Sequence, residues 1–233
     1  MKVILASQGF TTDEIEMEVS RIVGKPASEI DIAIINESMY YIDKSRSKRW
    51  YIKELSNIEK HIGGRIDFID FYAHTKEEIE ERLMNADLIY IVGGKQHIYS
   101  KIFNETDTVD LIKKIAERKV LMGTSAGSIV LGKKIQSKGF WKERYGIDID
   151  TEKFGDKELE IVPFNIIPHY LSEERKNWTK EFFGRTLSDN PFTVYAVRDD
   201  QAIAYIDGKI EFIGGEPEIF GNKTNNQTIG IPQ

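Results

Sequence analysis

The stretch Val120-Leu121-Met122-Gly123-Thr124-Ser125-Ala126-Gly127 joins a short apolar run to a turn that holds two glycines and a serine. The apolar part, Val120–Met122, is typical of a buried strand in a parallel sheet. Gly-x-Ser-x-Gly directly after such a strand is the nucleophile-elbow pattern. Small neighbours are needed because the strained backbone passes close to itself while it exposes the serine hydroxyl. Taken alone, the five residues also fit a tight turn that only packs a helix on a sheet.

Apolar runs alternate with helical patterns on both sides of this stretch. Thr11-Thr12-Asp13-Glu14 has the spacing of a capping box and predicts the start of the first helix. Further strands are predicted at Val3–Ala6, Ile30–Ile35, Ile66–Phe71, Leu88–Val92, Glu160–Ile167 and Phe192–Val197, and a hairpin at Ala202–Ile206 and Ile210–Ile213. Helical signals cover 52–62, the segment after Thr75, 96–118 with a break at Asn104–Asp107, and 173–187. We expect a three-layer α/β fold, with helices on both faces of a mostly parallel sheet and a C-terminal β-hairpin.

Composition narrows the functional classes. The chain of 233 residues has 32 Lys and Arg against 38 Asp and Glu, a net charge of −6 that argues against a nucleic-acid surface. No cysteine is present, which excludes a thiolate nucleophile, a disulfide framework and a Cys-based metal site. No apolar run is long enough for a membrane span or a signal-peptide core, so we expect a cytoplasmic protein without a membrane partner. Because no linker or repeat divides the sequence, we expect one domain over 1–233.

A serine hydroxyl is a weak nucleophile until a base takes its proton. Of the four histidines, only His169 follows Ser125, and it lies at a predicted strand end on the same edge of the sheet. Asp199 follows the next strand and is the best-placed carboxylate to orient that base. The neighbouring Asp200 leaves open that the pair is solvated surface charge. The order Ser125, His169, Asp199 excludes an ordinary α/β-hydrolase, in which the histidine comes last.

Four segments together resemble the peptidase E and cyanophycinase family of serine peptidases. They are Ile91-Val92-Gly93-Gly94, Gly123-Thr124-Ser125-Ala126-Gly127, Ile167-Pro168-His169-Tyr170 and Val197-Arg198-Asp199-Asp200-Gln201-Ala202-Ile203. They recur in the family's order at similar spacings. The resemblance implies a flavodoxin-like sheet akin to class I glutamine amidotransferases. It also implies a triad in which Ser125 is the nucleophile, His169 the base and Asp199 the acid, where peptidase E has Glu.

The same resemblance implies an oxyanion hole and a substrate site. One oxyanion N–H would come from the glycine-rich turn, at Gly94 or Lys95, and the second from Ala126. Gly93 and Arg175 are candidates for contact with the substrate. The turn departs from peptidase E at Lys95, which replaces a third glycine. Arg175 aligns with the arginine that recognises an aspartyl side chain in peptidase E only across a gap, so aspartyl specificity does not follow.

These residues predict acyl transfer to water through an acyl-serine intermediate, with neither a metal nor an organic cofactor. The expected substrates are small peptides, because we expect residues 137–158 to form a loop or lid over the site. A homodimer is left open. Two other interpretations also remain, namely a non-catalytic small-ligand binding protein on the same fold and an amidotransferase-like subunit with serine in place of cysteine.

Overall fold

A computed structural model describes residues 1–145 and 157–222. Their strands are β1 (Lys2–Ala6), β2 (Ile32–Ile35), β3 (Ile66–Ile69), β4 (Leu88–Ile91), β5 (Val120–Thr124), β6 (Asn165–Ile167), β7 (Thr193–Ala196), β8 (Ala202–Ile206), β9 (Lys209–Ile213) and β10 (Glu218–Gly221). Their α-helices are α1 (Asp13–Val23), α2 (Arg49–His61), α3 (Lys76–Asn85), α4 (Gln96–Glu105), α5 (Val109–Ala116), α6 (Ala126–Leu131), α7 (Lys138–Tyr145) and α8 (Lys180–Thr186). None of these helices is long and apolar enough to cross a membrane.

Seven strands form the main sheet in the order β3-β2-β4-β5-β1-β8-β9. The first five are parallel, whereas β8 and β9 run antiparallel as a hairpin. The hairpin turns at Asp207 and Gly208, whose φ angles of 47° and 88° suit a two-residue turn. The predicted α/β fold with a mostly parallel sheet and a C-terminal hairpin is confirmed.

The sheet has a buried core on each face because successive strand residues point to opposite sides. Val3 and Leu5 of β1 pack into a cluster with α3, α4 and α5, while Ile4 and Ala6 pack into a second cluster with α1 and α2. All four side chains are fully buried. This two-sided burial explains why the inner strands β2 and β4 are continuously apolar rather than alternating.

A second sheet of three strands, in the order β10-β7-β6, lies beside the first and was not predicted. Its strands pack with α7 and α8 around a third buried cluster that includes Phe140, Phe183 and Phe220. The loops that follow β6 and β7 reach the carboxyl end of the main sheet. There the main chain pairs between the two loops, with Tyr170 N donating to Val197 O at 3.0 Å.

Local predictions were wrong at three places. The cap of α1 is Thr12, which accepts from Ile15 N, because Thr11 Oγ1 instead donates to the carbonyl of Asp199. The strand predicted at Glu160–Ile167 shrinks to β6, since Glu160 has a φ of 42° and the following amides of Ile161 and Val162 bond to the end of α6. The predicted helix 173–187 divides into a 3-10 turn at 173–175 and α8, because Thr179 caps a new helix.

The predicted loop or lid at 137–158 was also wrong for its first part. Residues 138–145 form α7, whose Phe140 and Trp141 are buried in the core of the second sheet. Residues 146–156 lie outside the described residues. The predicted break within 96–118 is confirmed, as α4 and α5 flank Asp107, which has a φ of 52°.

The close contact between α6 and β4 predicts how replacing Gly127 changes the free energy of unfolding. A Cβ on Gly127 would lie 2.0 Å from the carbonyl oxygen of Ile91, whereas one on Gly184 in α8 would meet nothing within 4 Å. We expect Gly127→Ala to lower the free energy of unfolding by about 1–3 kcal/mol through overpacking. Gly184→Ala is the matched control and should raise it by about 0.5–1 kcal/mol, because alanine favours helix. Urea unfolding measures both, and equal effects would contradict the packing described.

Candidate active site

Ser125 lies on the sharp turn between β5 and α6. Its φ of 50° and ψ of −113° are strained for a serine. The turn is held by its amide, which donates to Ala6 O at 3.1 Å. The flanking glycines are required, since a Cβ on Gly123 would lie 2.5 Å from the backbone of Gly127. The backbone therefore presents the Ser125 hydroxyl at the carboxyl edge of the sheet, among the residues that line a large cavity.

His169 and Asp199 lie next to this hydroxyl although they come from loops of the second sheet. His169 Nε2 is 2.9 Å from Ser125 Oγ, and His169 Nδ1 is 2.7 Å from Asp199 Oδ1. His169 itself has a φ of 62°, in the left-handed region that few residues other than glycine adopt. The three side chains thus form a continuous hydrogen-bonded row, in the arrangement that nucleophile, base and acid require.

Ser7, at the end of β1, joins the last two members of this row. Its Oγ donates to Asp199 Oδ1 at 2.9 Å and accepts from the amide of His169 at 2.7 Å. Burial of Asp199 opposes its ionisation, but the hydrogen bonds from His169 and Ser7 outweigh that effect and hold the pKa of the carboxyl below its ordinary value. Asp199 is therefore a carboxylate, and it can stabilise a positive charge on His169.

The turn Gly93-Gly94-Lys95 lies across the site from His169. Gly94 has a φ of 144°, and a Cβ there would lie 2.5 Å from Ser38 Oγ, so glycine is needed at this position. Lys95 has an ordinary extended φ of −121°, so a side chain is tolerated where peptidase E has a third glycine. The Lys95 amide donates to Ser38 Oγ at 2.7 Å, which directs it away from Ser125.

Glu54 of α2 reaches the same turn from the other side. Its carboxylate accepts from Tyr90 OH at 3.0 Å and also faces the amide of Gly93 and the hydroxyl of Thr124. Burial raises the pKa of Glu54 to about 7, although these three hydrogen bonds oppose the rise. A carboxyl group with a pKa of about 7 therefore lies close to Thr124, next to Ser125, and to Gly93 of the glycine turn.

The cavity in front of Ser125 has a volume of about 780 Å³. Residues 42–57 line one side of it, whereas no described residue of 137–158 does, so the described part of that segment forms no lid over the site. Arg175 contributes from the segment after His169, where its guanidinium stacks at 4.3 Å on the ring of Trp178. The size of the cavity suits a short peptide.

Most of the residues singled out from the sequence meet in this cavity. Ser125, His169 and Asp199 are brought together, and the predicted contact residues Gly93 and Arg175 line the cavity with Gly94. Ala126 is buried at the start of α6, one residue after Ser125. Lys95 is close, but its amide bonds to Ser38.

Three residues of the site were not predicted from the sequence, namely Ser7, Ser38 and Glu54. Ser7 directly follows a predicted parallel strand, so the rule that sites form at the carboxyl edge could have found it. Ser38 also follows its strand, but it lies within a 3-10 turn at Glu37–Tyr41 that the sequence did not indicate. Glu54 carries no local signal, since it looks like any charged residue of an amphipathic helix.

Comparisons with known proteins assign this chain to a family. A model of peptidase family S51 matches residues 36–213, more than half of the chain. An uncharacterized peptidase of Pasteurella multocida is 26% identical over 143 residues, covering 60% of this chain and 68% of that protein. A Drosophila melanogaster protein named probable alpha-aspartyl dipeptidase is 30% identical over 103 residues, covering 43% of this chain and 40% of that protein. The crystal structure of a protein assigned as a peptidase E of Listeria monocytogenes EGD-e aligns with a TM-score of 0.64 and 16% identity, over 95% of this chain and 98% of that chain.

The fold and these matches define a serine-type peptidase on an α/β scaffold. The chain belongs to peptidase family S51. The resemblance to peptidase E noted from the four sequence segments is thereby confirmed.

The position of Ser7 predicts a loss of stability on its replacement. In Ser7→Ala the amide of His169 loses its acceptor at the fully buried position 7 and Asp199 loses a donor, which should lower the free energy of unfolding by about 1–3 kcal/mol. The pKa of Asp199 should rise toward its ordinary value. Urea unfolding at pH 7 and NMR titration of the Asp199 carboxyl measure the two effects. The exposed Ser56→Ala on α2 is the control, and an equal change in both variants would contradict the linking role of Ser7.

Proposed function

We propose that this S51 peptidase is an exopeptidase or dipeptidase that hydrolyses small peptides through an acyl-serine intermediate, with Ser125, His169 and Asp199 as its triad. The observation that carries the proposal is the row of contacts from Ser125 Oγ to His169 Nε2 at 2.9 Å and from His169 Nδ1 to Asp199 Oδ1 at 2.7 Å. In this row the nucleophile contacts a base, and the base contacts the group that orients it.

In the first half of the reaction, Ser125 Oγ attacks the carbonyl carbon of the peptide bond while His169 Nε2 takes its proton. Asp199 keeps the proton on Nδ1 and stabilises the imidazolium that forms. The bond between carbonyl carbon and nitrogen then breaks, and His169 returns the proton to the leaving amine. An ester between the acyl group and Ser125 remains.

In the second half, a water molecule takes the place of the amine. His169 removes its proton, the oxygen attacks the ester, and Ser125 leaves with the proton that His169 gives back. Each half passes through a tetrahedral oxyanion. The main-chain N–H groups of Ala126 and Gly94 are the proposed donors to it, and each such donor is typically worth about 2.7–4 kcal/mol.

Gly94 is preferred over Lys95 as the second oxyanion donor. The Lys95 amide is occupied by Ser38, and the Gly93 amide faces the carboxylate of Glu54. These two anchors fix the peptide unit between Gly93 and Gly94 from both ends. The Gly94 amide is the one between them, on a residue that lines the cavity with Ser125.

The side-chain specificity is proposed only in part. Arg175 lines the cavity, and its charge helps to lower the pKa of Asp199, so it could bind a carboxylate of the substrate. The Drosophila relative is named for alpha-aspartyl dipeptides, but its alignment covers only 43% of this chain. A panel of dipeptides that includes a first-position aspartate decides this point. One domain over 1–233, a cytoplasmic location, a homodimer and independence from cofactors stay predictions.

The triad is tested by Ser125→Ala. We expect dipeptide hydrolysis to fall by a factor of about a million, because the acyl acceptor is lost, while the unfolding transition stays close to that of the wild type. Release of amino acids from a dipeptide panel measures the rate. Labelling of the intact protein with a fluorophosphonate, followed by mass spectrometry, should modify Ser125 alone.

The exposed Ser56→Ala is the control for both measurements and should retain activity and labelling. Hydrolysis by Ser125→Ala at the wild-type rate would exclude Ser125 as the nucleophile. Labelling at another serine instead of Ser125 would also exclude Ser125 as the nucleophile.

A further inference from the structure

The carboxyl group of Glu54 is partly buried beside the cavity and has no cation as a partner. Tyr90 OH donates to it at 3.0 Å, the Gly93 amide and the Thr124 hydroxyl lie close to it, and in the described part of the chain no lysine, arginine or histidine contributes to its pKa. Burying an unpaired carboxylate is costly. The side chain nevertheless faces a cavity that is open to ligands. A positively charged group in that cavity would supply the missing partner.

The space beside this carboxylate is kept open by Gly93. A Cβ on Gly93 would lie 3.8 Å from Glu54 Oε2, 3.4 Å from Cζ3 of Trp50 and 3.4 Å from Cβ of Ser125. The space beside Gly93 is therefore bordered by the Glu54 carboxyl group, the Trp50 indole ring and Ser125. A carboxylate together with an aromatic ring is the environment that favours an ammonium group.

Building on the proposed function, we propose that Glu54 and the ring of Trp50 bind the free α-ammonium group of the residue whose carbonyl carbon Ser125 attacks. In a peptide, that nitrogen is separated from the carbonyl carbon by two bonds, or about 2.5 Å. A carbonyl placed against Ser125 Oγ thus puts its ammonium group into the space beside Gly93. The substrates are then peptides with an unblocked N-terminus, cut after the first residue.

This site also gives a physical reason for exopeptidase action. A residue in the middle of a chain has a neutral amide in place of the ammonium group and a further residue attached to it. The amide carries no positive charge, so it can give the carboxylate a hydrogen bond but not an ion pair. The carboxyl group of Glu54 therefore selects the end of a chain, whatever the first side chain is.

A different role for Glu54 is purely structural. Through the Gly93 amide and the Thr124 hydroxyl, it could merely hold the glycine turn against the elbow. A structural role affects all substrates alike, whereas binding of an ammonium group affects only substrates that carry one. The experiment therefore compares two substrates rather than the activity on one.

The first measurement needs no variant. The dipeptide that the wild type hydrolyses best is compared with its des-amino analogue, in which hydrogen replaces the α-amino group. The analogue is smaller than the parent, so steric exclusion cannot explain a loss. We expect kcat/KM to fall about 100-fold, as when one partner of a buried charge pair is removed. Equal values for the two compounds would overturn the proposal.

The second measurement uses Glu54→Gln, with Glu59→Gln as the matched control. Glu59 is an exposed residue of the same helix outside the cavity lining, so its change removes the same charge elsewhere. We expect Glu54→Gln to lose about 100-fold in kcat/KM on the free dipeptide and less than about threefold on the des-amino analogue. Glu59→Gln should match the wild type on both.

The outcomes separate this proposal from the proposed function. An equal loss on both substrates in Glu54→Gln would overturn the ammonium site while leaving the triad intact. If the wild type hydrolyses no dipeptide and the fluorophosphonate does not label Ser125, the proposed function fails and the ammonium site fails with it. If Glu54→Gln does not fold, the wild-type comparison alone decides.

Discussion

The hydroxyl group of Ser7 connects the two sheets of the molecule at the point where the site forms. Ser125 belongs to the main sheet, whereas His169 and Asp199 are carried by loops of the second sheet. One buried oxygen atom, at the end of β1, accepts from the amide of His169 and donates to the carboxylate of Asp199. Thr11 adds a second link to the carbonyl of Asp199. The distances within the row of three side chains depend on this junction.

Backbone strain and close approach shape the opposite side of the site. Ser125 is held with a positive φ because β4, β5 and α6 approach too closely for side chains at the flanking glycines. Position 94 also requires glycine, because a Cβ there would collide with Ser38. The strain is sustained by the fully buried strands on either side, since a rigid sheet leaves the turn no room to relax. The side chains of Ser38 and Glu54 then fix the turn that faces the elbow.

Local patterns predicted well wherever the physical cause was itself local. The apolar strands, the break near Asp107 and the turn at Asp207-Gly208 follow from periodicity and backbone preference. Prediction failed where a distant partner decided the outcome. Thr11 has the spacing of a helix cap, but its hydroxyl donates to Asp199, more than 180 positions away in sequence. The content of charged, aromatic and glycine residues predicts a loop or lid over 137–158, yet Phe140 and Trp141 pack the first part of that segment into a core.

The sequence by itself determined which reactive side chains are present and in what order. These are a serine on a strained turn, one histidine after it and an acid after the next strand, with no cysteine in the chain. Those residue types and their order along the chain depend only on short-range backbone rules and on strand direction. The tertiary structure alone decided that Ser7 joins His169 to Asp199, that Ser38 occupies the Lys95 amide, and that α2 brings Glu54 beside Ser125. Such contacts join residues of different elements, and their geometry is set by how helices pack on the sheet, which no local pattern encodes.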